Sequence, residues 1–322
     1  MSVPFVTGGR MQTAILLGAL LLTGLVAGCT TTHRAAKSPP ASNTASAAPA
    51  TTPPVTTPAA RPFTVHVPPK YVRTRPSPLL IMLHGYTASG ALEEAYLRLA
   101  PVAAADGMLY VYPDGTVDKV GKRFWNATDA CCNLFGSTVD DSAYLSGMIR
   151  QIEARYDVDR HRIFIIGHSN GGFMAYRMAC DHADQIAAIV SLEAATFADP
   201  SRCQPSQPVS VLEVHGTADP TIVYDGGGIM NDGHLQLYPS APTTVKTWAT
   251  YDGCQTTPDS PEPAAHQIEV GLPAATVVSY STGCRPGGHA ELWTEAGGLH
   301  TPIWSATFDE QIIDFLVAHP KP

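Results

Sequence analysis

Charge is scarce in this 322-residue chain: Asp, Glu, Lys and Arg make up only 15% of it, and the formal net charge is −8. Its 20 Lys and Arg residues form no cluster, so nothing attracts a phosphate backbone and no nucleic-acid partner is expected. No His/Cys spacing fits a metal site, and Cys131-Cys132 is too tight for a zinc knuckle. Gly226-Gly-Gly228 lacks the Lys-Ser/Thr of a phosphate loop and reads as a flexible turn. No cofactor and no internal repeat is expected. Hydrophobic residues are plentiful at 44%, enough for one large core. A length prior of about 150 residues per domain suggests two domains, yet α/β folds run to about 250 residues as one.

The first 28 residues read as a leader. Arg10 supplies one positive charge ahead of the apolar run Ala14-Ile-Leu-Leu-Gly-Ala-Leu-Leu-Leu22, which leads to Leu25-Val-Ala-Gly-Cys29. That ending resembles the lipobox of bacterial lipoproteins, which implies cleavage before Cys29, acylation of its thiol and contact with a membrane through that lipid alone. An ordinary cleaved signal or an uncleaved anchor is the alternative. Residues 29–60 are mainly Thr, Ala, Pro and Ser, too poor in large apolar side chains to offset ordering entropy, and read as a tether. The folded domain is expected over residues 61–322. Six cysteines remain in it, and an even number in an exported chain suggests disulfides, with 15 possible connectivities. Proximity favours Cys180–Cys203 and Cys254–Cys284, leaving Cys131 and Cys132 as a vicinal pair.

Strands are expected at 63–67, 78–83, 108–112, 162–166, 186–192, 209–214 and 290–294. Helices are expected at 91–104, 141–155, 171–181 and 306–318, with Asp140-Asp141 capping the second. Strands that alternate with helices predict an α/β fold: a mostly parallel central sheet with helices on both faces.

Within that frame, Gly167-His-Ser-Asn-Gly171 directly follows one strand and opens one helix, the setting of a nucleophile elbow with Ser169 as nucleophile. A serine needs a base, and the base needs an orienting carboxylate; in this fold they follow in the order Ser, acid, His. Asp219 stands in His215-Gly-Thr-Ala-Asp219, just past the strand 209–214. His300 stands in the Gly-rich loop between the strand 290–294 and the last helix. His289 lies at the wrong end of its strand, and His84 precedes the acid and reads as structural. The expected oxyanion hole is the backbone N–H of Asn170, after the nucleophile, and of Tyr86, in the loop after 78–83. Trp125 and Asn126 are candidate linings of the substrate cleft, with a core position for Trp125 the competing reading.

These residues together resemble the polyhydroxybutyrate depolymerase and feruloyl esterase family of α/β-hydrolases over about 61–322, including its lipid-anchored members. The matching stretches are Pro78-Leu-Leu-Ile-Met-Leu-His-Gly85, Trp125-Asn-Ala127, Cys131-Cys132, Asp140-Asp141, Gly167-His-Ser-Asn-Gly-Gly172, His215-Gly-Thr-Ala-Asp-Pro220 and Gly297-Gly-Leu-His300. The resemblance implies that Ser169, Asp219 and His300 form the triad of a serine ester hydrolase. Two positions depart from the family: Leu299 replaces a usual glycine, and the tryptophan after the last histidine is displaced to Trp304. The expected activity is ester hydrolysis through an acyl-enzyme, outside the cytoplasm, in an open cleft. The rivals are a peptidase on the same triad and a catalytically silent envelope protein that binds through the cleft.

Overall fold

The computed structural model describes residues 61–259 and 266–322. The leader expected at 1–28, the lipidation expected at Cys29 and the tether expected at 29–60 lie outside these residues.

β1 (Ser77–Leu83) leads into two short helices, α1 (Gly90–Leu97) and α2 (Leu99–Ala105), and then β2 (Leu109–Val111). A small ribbon, β3 (Thr116–Val117) with β4 (Arg123–Phe124), precedes α3 (Asp141–Glu153). Next come β5 (Val158–His168), α4 (Asn170–Asp181), β6 (Ala188–Leu192) and β7 (Ser210–Gly216). A hairpin of β8 (Gly227–Asn231) and β9 (His234–Tyr238) is followed by α5 (Ala241–Tyr251), β10 (Thr276–Tyr280), β11 (Ala290–Glu295) and α6 (Phe308–Ala318).

Seven strands form one sheet in the order β10-β11-β7-β6-β5-β1-β2, parallel except for the β10–β11 pair. β1, β6 and β7 are buried along their whole length, as continuous apolar runs between two helical layers require. Helices α3, α4 and α5 pack on one face around Leu145, Phe173 and Trp248. Helices α2 and α6 pack on the other around Leu99, Phe308 and Ile312. The expected fold, a mostly parallel sheet with helices on both faces, is what forms.

Several local expectations change. Residues 63–67 make only an isolated bridge, His66 with Tyr110, since Pro68-Pro69 removes the donors that would extend a strand. The single helix expected at 91–104 splits at Arg98, whose φ of 56° is left-handed, and Pro101 sits in the first turn of α2 where its missing N–H costs nothing. Gly226-Gly-Gly228 is not a flexible turn but the entry to β8. The β8–β9 hairpin turns on Asp232-Gly233, both at positive φ (48° and 75°), the pair that a type I′ turn favours. Asp140 caps α3 by accepting from the N–H of Ala143. Asp141 instead is fully buried and holds Arg61, Thr116 Oγ1 and the N–H of Asn126. The cysteines pair as Cys180–Cys203, Cys254–Cys284 and Cys131–Cys132.

Candidate active site

β5 runs into α4 through Ser169, which stands at φ 53°, ψ −119°. Such a conformation persists only where the surroundings over-determine it. Two glycines make the turn possible. A Cβ on Gly167 would collide with the Gly171 carbonyl, and one on Gly171 would collide with the Leu83 carbonyl. The strand, the helix and β1 can therefore close to backbone contact around the serine.

The loops after β7 and β11 bring the other two expected residues to it. His300 Nε2 lies 2.9 Å from Ser169 Oγ, and His300 Nδ1 lies 2.7 Å from Asp219 Oδ2. A carboxylate at Nδ1 fixes the proton there and leaves the Nε2 lone pair facing the serine. Asp219 Oδ1 accepts from the N–H of Thr221 (2.7 Å) and Ile222 (3.0 Å).

A second histidine, His215, supports the acid. Its Nδ1 faces Glu213 Oε1 at 3.1 Å, its Nε2 donates to the Ile222 carbonyl at 2.8 Å, and Asp219 Oδ2 lies 3.6 Å away. Burial disfavours a charged imidazole here, but the carboxylates of Asp219 and Glu213 outweigh it and hold the His215 pKa well above its ordinary value. Burial likewise works to raise the Asp219 pKa, yet the nearby His215 imidazole and the hydrogen bond from His300 hold it well below the ordinary carboxylate range. Glu193, His215 and Asp219 offer ligand atoms within 4.8 Å of one another. Those atoms are committed, however: both His215 nitrogens have acceptors, Glu193 accepts from the N–H of Gly216 and Asp219 holds His300, so the cluster buttresses the acid rather than forming a metal centre.

Glu93 ties three loops together. Its Oε2 accepts from the N–H of Gly85 (3.0 Å), in the loop that carries Tyr86, and its Oε1 pairs with His168 Nδ1 (3.0 Å), beside Ser169. His168 Nε2 in turn donates to the carbonyl of His300 (2.9 Å). Burial opposes charge on both, but each holds its partner ionised: the Glu93 pKa is lowered and the His168 pKa raised. Neither residue stood out in the sequence. Glu93 sits on a short helix as a surface acid would, and His168 occupies the variable position of the serine motif. Glu93→Ala is expected to lower kcat for a small ester by about 10- to 100-fold with little change in KM, through sub-ångström misplacement of three loops. Glu93→Gln, which keeps an acceptor for Gly85, is expected to recover most of that loss, whereas equal losses in both would mean that charge, not position, matters.

The N–H of Asn170 opens α4 and has no intrahelical acceptor. The N–H of Tyr86 meets no protein acceptor among the described residues. A Cβ on Gly85 would stand 3.5 Å from Ser169 Cβ, so the Tyr86 loop passes directly beside the serine.

Trp125 does not line the cleft. It is fully buried, its Nε1 donates to the His84 carbonyl (3.0 Å), and its backbone is clasped at both N–H and C=O by the side-chain amide of Asn170. His84 is structural, accepting the N–H of Gly115 at Nε2. Asn126 lines a different cavity. The cavity at Ser169 holds 370 Å³, with Tyr86, Leu92 and Tyr96 as its walls and His300 and Thr301 at its edge. Leu92 at its rim is 62% exposed. Trp304 stands behind this wall, stacked on Phe308 and facing Tyr96, whose hydroxyl donates to the Pro302 carbonyl.

Glu295 closes β11 four positions before Gly-rich loop residue Leu299. It is fully buried and neither carboxyl oxygen has a partner. Burial, with nearby Glu269, raises its pKa to about 7. The folded protein thus keeps a proton that the unfolded chain releases near pH 4.5, so this group removes stability as pH rises from about 4.5 to about 7. Glu295→Gln is expected to raise the thermal midpoint at pH 8.5 and leave it nearly unchanged at pH 5; equal shifts at both values would exclude this origin.

An elbow serine at the carboxyl edge of a parallel sheet, with an acid and a histidine delivered after later strands, defines the α/β-hydrolase class. The chain belongs to the Phospholipase/Carboxylesterase family, whose sequence profile matches residues 70–241, more than half of its length. It is 28% identical to Feruloyl esterase B of Piromyces equi over 236 residues, which are 72% of this chain and 43% of that protein. It is 24% identical to a probable feruloyl esterase C of Aspergillus flavus over 77% of this chain and 75% of that one. The chain thus spans less than half the length of the first relative. Among solved structures, an acetyl xylan esterase from Aspergillus awamori shares the fold, with a TM-score of 0.59 at 15% identity over 79% of this chain and 93% of that chain. The likeness to feruloyl esterases expected from the motifs is borne out.

Proposed function

We propose that this chain is a carboxylic ester hydrolase in which Ser169 is the nucleophile, His300 the general base and Asp219 its orienting acid. The observation that carries the reading is the unbroken line of contacts from Ser169 Oγ through His300 to Asp219, at 2.9 and 2.7 Å. His300 Nε2 takes the serine proton as Oγ attacks the ester carbonyl. The N–H groups of Tyr86 and Asn170 receive the oxyanion, aided by the positive end of α4. His300 then returns the proton to the leaving alcohol, and water, activated by the same histidine, releases the acid from the acyl-serine.

The substrate is read as an ester of an aromatic or small acid, in keeping with the feruloyl esterase relatives and with the Tyr86, Leu92 and Tyr96 walls. A location outside the cytoplasm is supported by the three cysteine pairs, which a reducing compartment would open. Recovery of the protein from medium or membrane fractions, not from cytosol, is the expected result.

A sulfonyl fluoride tests the site directly. It is expected to abolish hydrolysis of p-nitrophenyl acetate and methyl ferulate while adding one sulfonyl group to the peptide that contains Ser169. Full inactivation with the label elsewhere, or no turnover of any ester by unlabelled protein, would sink the reading.

A further inference from the structure

The loop that carries His300 rests on a buried acid. Glu295 ends β11, and its side chain turns back under Gly298. A Cβ on Gly298 would stand 2.6 Å from Glu295 Oε2, so only a glycine backbone lies this close to the carboxyl. Gly298 also meets the loop that carries Asp219: a Cβ on Gly216 would stand 2.3 Å from the Gly298 carbonyl oxygen. Three hydrogen bonds stitch the two loops together. The N–H of Thr217 donates to the Glu295 carbonyl (2.9 Å), that of Ala218 to the Gly298 carbonyl (3.0 Å) and that of Gly297 to Thr217 Oγ1 (2.9 Å). The placement of His300 against Asp219 therefore depends on where Gly298 sits, and Gly298 sits on Glu295.

Glu295 differs from the other buried acids of this region. Glu93 has His168 and the N–H of Gly85, Glu193 has the N–H of Gly216, and Glu213 has Tyr176 and the N–H of Ala194. Glu295 is fully buried and both its oxygens are unpartnered. The titratable groups that face it offer no counter-ion. Glu269, on the run 268–270 that bridges to Trp304, adds a second acid, with its own Oε2 unpartnered. Tyr96, from α1, is neutral, its pKa raised by burial and by these acids. Across Gly216, Glu193, His215 and Asp219 engage one another, and Asp219 engages His300. A carboxylate in such a place has neither a cation nor a hydrogen-bond donor, and burying it uncompensated is costly.

We propose that Glu295 is a positioning residue for His300 and works as a latch set by a single proton. Protonated, the neutral carboxyl fills its place under Gly298, and the 296–301 loop closes on Asp219. Once the proton is lost to solvent, the carboxylate leaves that place for water. Gly298 then loses its support, and His300 moves out of line with Ser169. Burial, with Glu269 nearby, puts this loss at about pH 7. The effect on catalysis rests on the proposed esterase reading; the opening of the loop does not.

The test is a reversible pH profile of p-nitrophenyl acetate hydrolysis by the full chain, net of the spontaneous rate. Hydrogen exchange of the peptide around 296–304 is measured in parallel and corrected for the intrinsic pH dependence of exchange. In the parent, kcat is expected to fall about 10- to 100-fold between pH 6.5 and pH 9, because the protonated fraction drops about tenfold per pH unit above its midpoint. Exchange of 296–304 is expected to rise over the same range while β5, β6 and β7 stay protected. Glu295→Gln, a neutral isostere, is expected to match the parent at pH 6.5 and to keep both activity and protection at pH 9. Glu269→Gln keeps an acceptor for the N–H of Ile303 but removes the neighbouring charge, so its alkaline fall is expected at lower pH than the parent's. That variant also carries the test should Glu295→Gln fail to fold. A parent kcat that stays level to pH 9, the same fall in Glu295→Gln, no shift in Glu269→Gln, or exchange that rises across the whole sheet would overturn the proposal. Should no ester be turned over at any pH, the function assigned to Ser169 falls, and exchange alone decides the latch.

Discussion

Ser169→Ala is expected to lower kcat for p-nitrophenyl acetate on the order of 10⁵- to 10⁶-fold without changing the fold. Alanine keeps the Cβ, so the strained backbone at φ 53° meets the same sterics, and the glycines on either side keep their close approaches. Only Oγ is lost, and with it the atom proposed to bond to the acyl carbon. The His300–Asp219 pair and the two free N–H groups persist, so a slow background through directly activated water is expected to remain, as triad knockouts leave about 10³- to 10⁴-fold over water. Substrate binding in the Tyr86, Leu92 and Tyr96 cavity is expected to be unchanged, because none of those walls touches the serine hydroxyl through a hydrogen bond. Thermal melts of parent and variant should coincide. A variant that keeps more than a tenth of the parent activity would remove Ser169 from the chemistry.

The elbow was readable because its geometry is local: five consecutive residues, a strand before and a helix after decide where the hydroxyl points. Asp219 and His300 were readable because chain order in a parallel sheet restricts which late residues reach the same edge. The supports of the site were not. Glu93 meets His168 across 75 residues, and Tyr96, Thr301 and Leu92 share one cavity across about two hundred, distances over which periodicity carries no information. His215 lies inside the His215-Gly-Thr-Ala-Asp219 run, but its role depends on Glu213 and Ile222 meeting its two nitrogens, which only the folded loop decides.

The same limit explains Trp125. A tryptophan beside an asparagine in a motif-rich loop suggested a cleft. Trp125 takes the core position instead, because the Asn170 amide satisfies both of its backbone groups and its ring is fully buried. The position of Asn170 thus has two uses, its N–H toward the serine side and its side chain toward the core. Helix α5 is hidden in the sequence for a different reason. Val245, Trp248 and Ala249 have helical spacing, but four threonines in eleven residues lower helix propensity and masked it.

Asp219→Asn is expected to cost about 10⁴-fold in kcat with little change in KM, and the structure gives the reason atom by atom. The N–H groups of Thr221 and Ile222 both point at Oδ1, so the amide carbonyl of an asparagine must stay there. Its NH₂ then occupies the Oδ2 position, 2.7 Å from His300 Nδ1, and can only donate. That bond demands the His300 tautomer with the proton on Nε2, which faces Ser169 Oγ and cannot accept its proton. The substitution also leaves the His215 cation beside an amide instead of an anion. Asp219 has a folded pKa held below its ordinary 3.8, so its ionisation contributes stability above about pH 4 that is lost as pH falls through the lower folded value. The variant is therefore expected to melt below the parent at pH 7 and to close that gap as the pH drops below about 4. A kcat within tenfold of the parent at pH 7 would show that the carboxylate does not set the tautomer. A melting deficit independent of pH would show that its charge does not stabilise the fold.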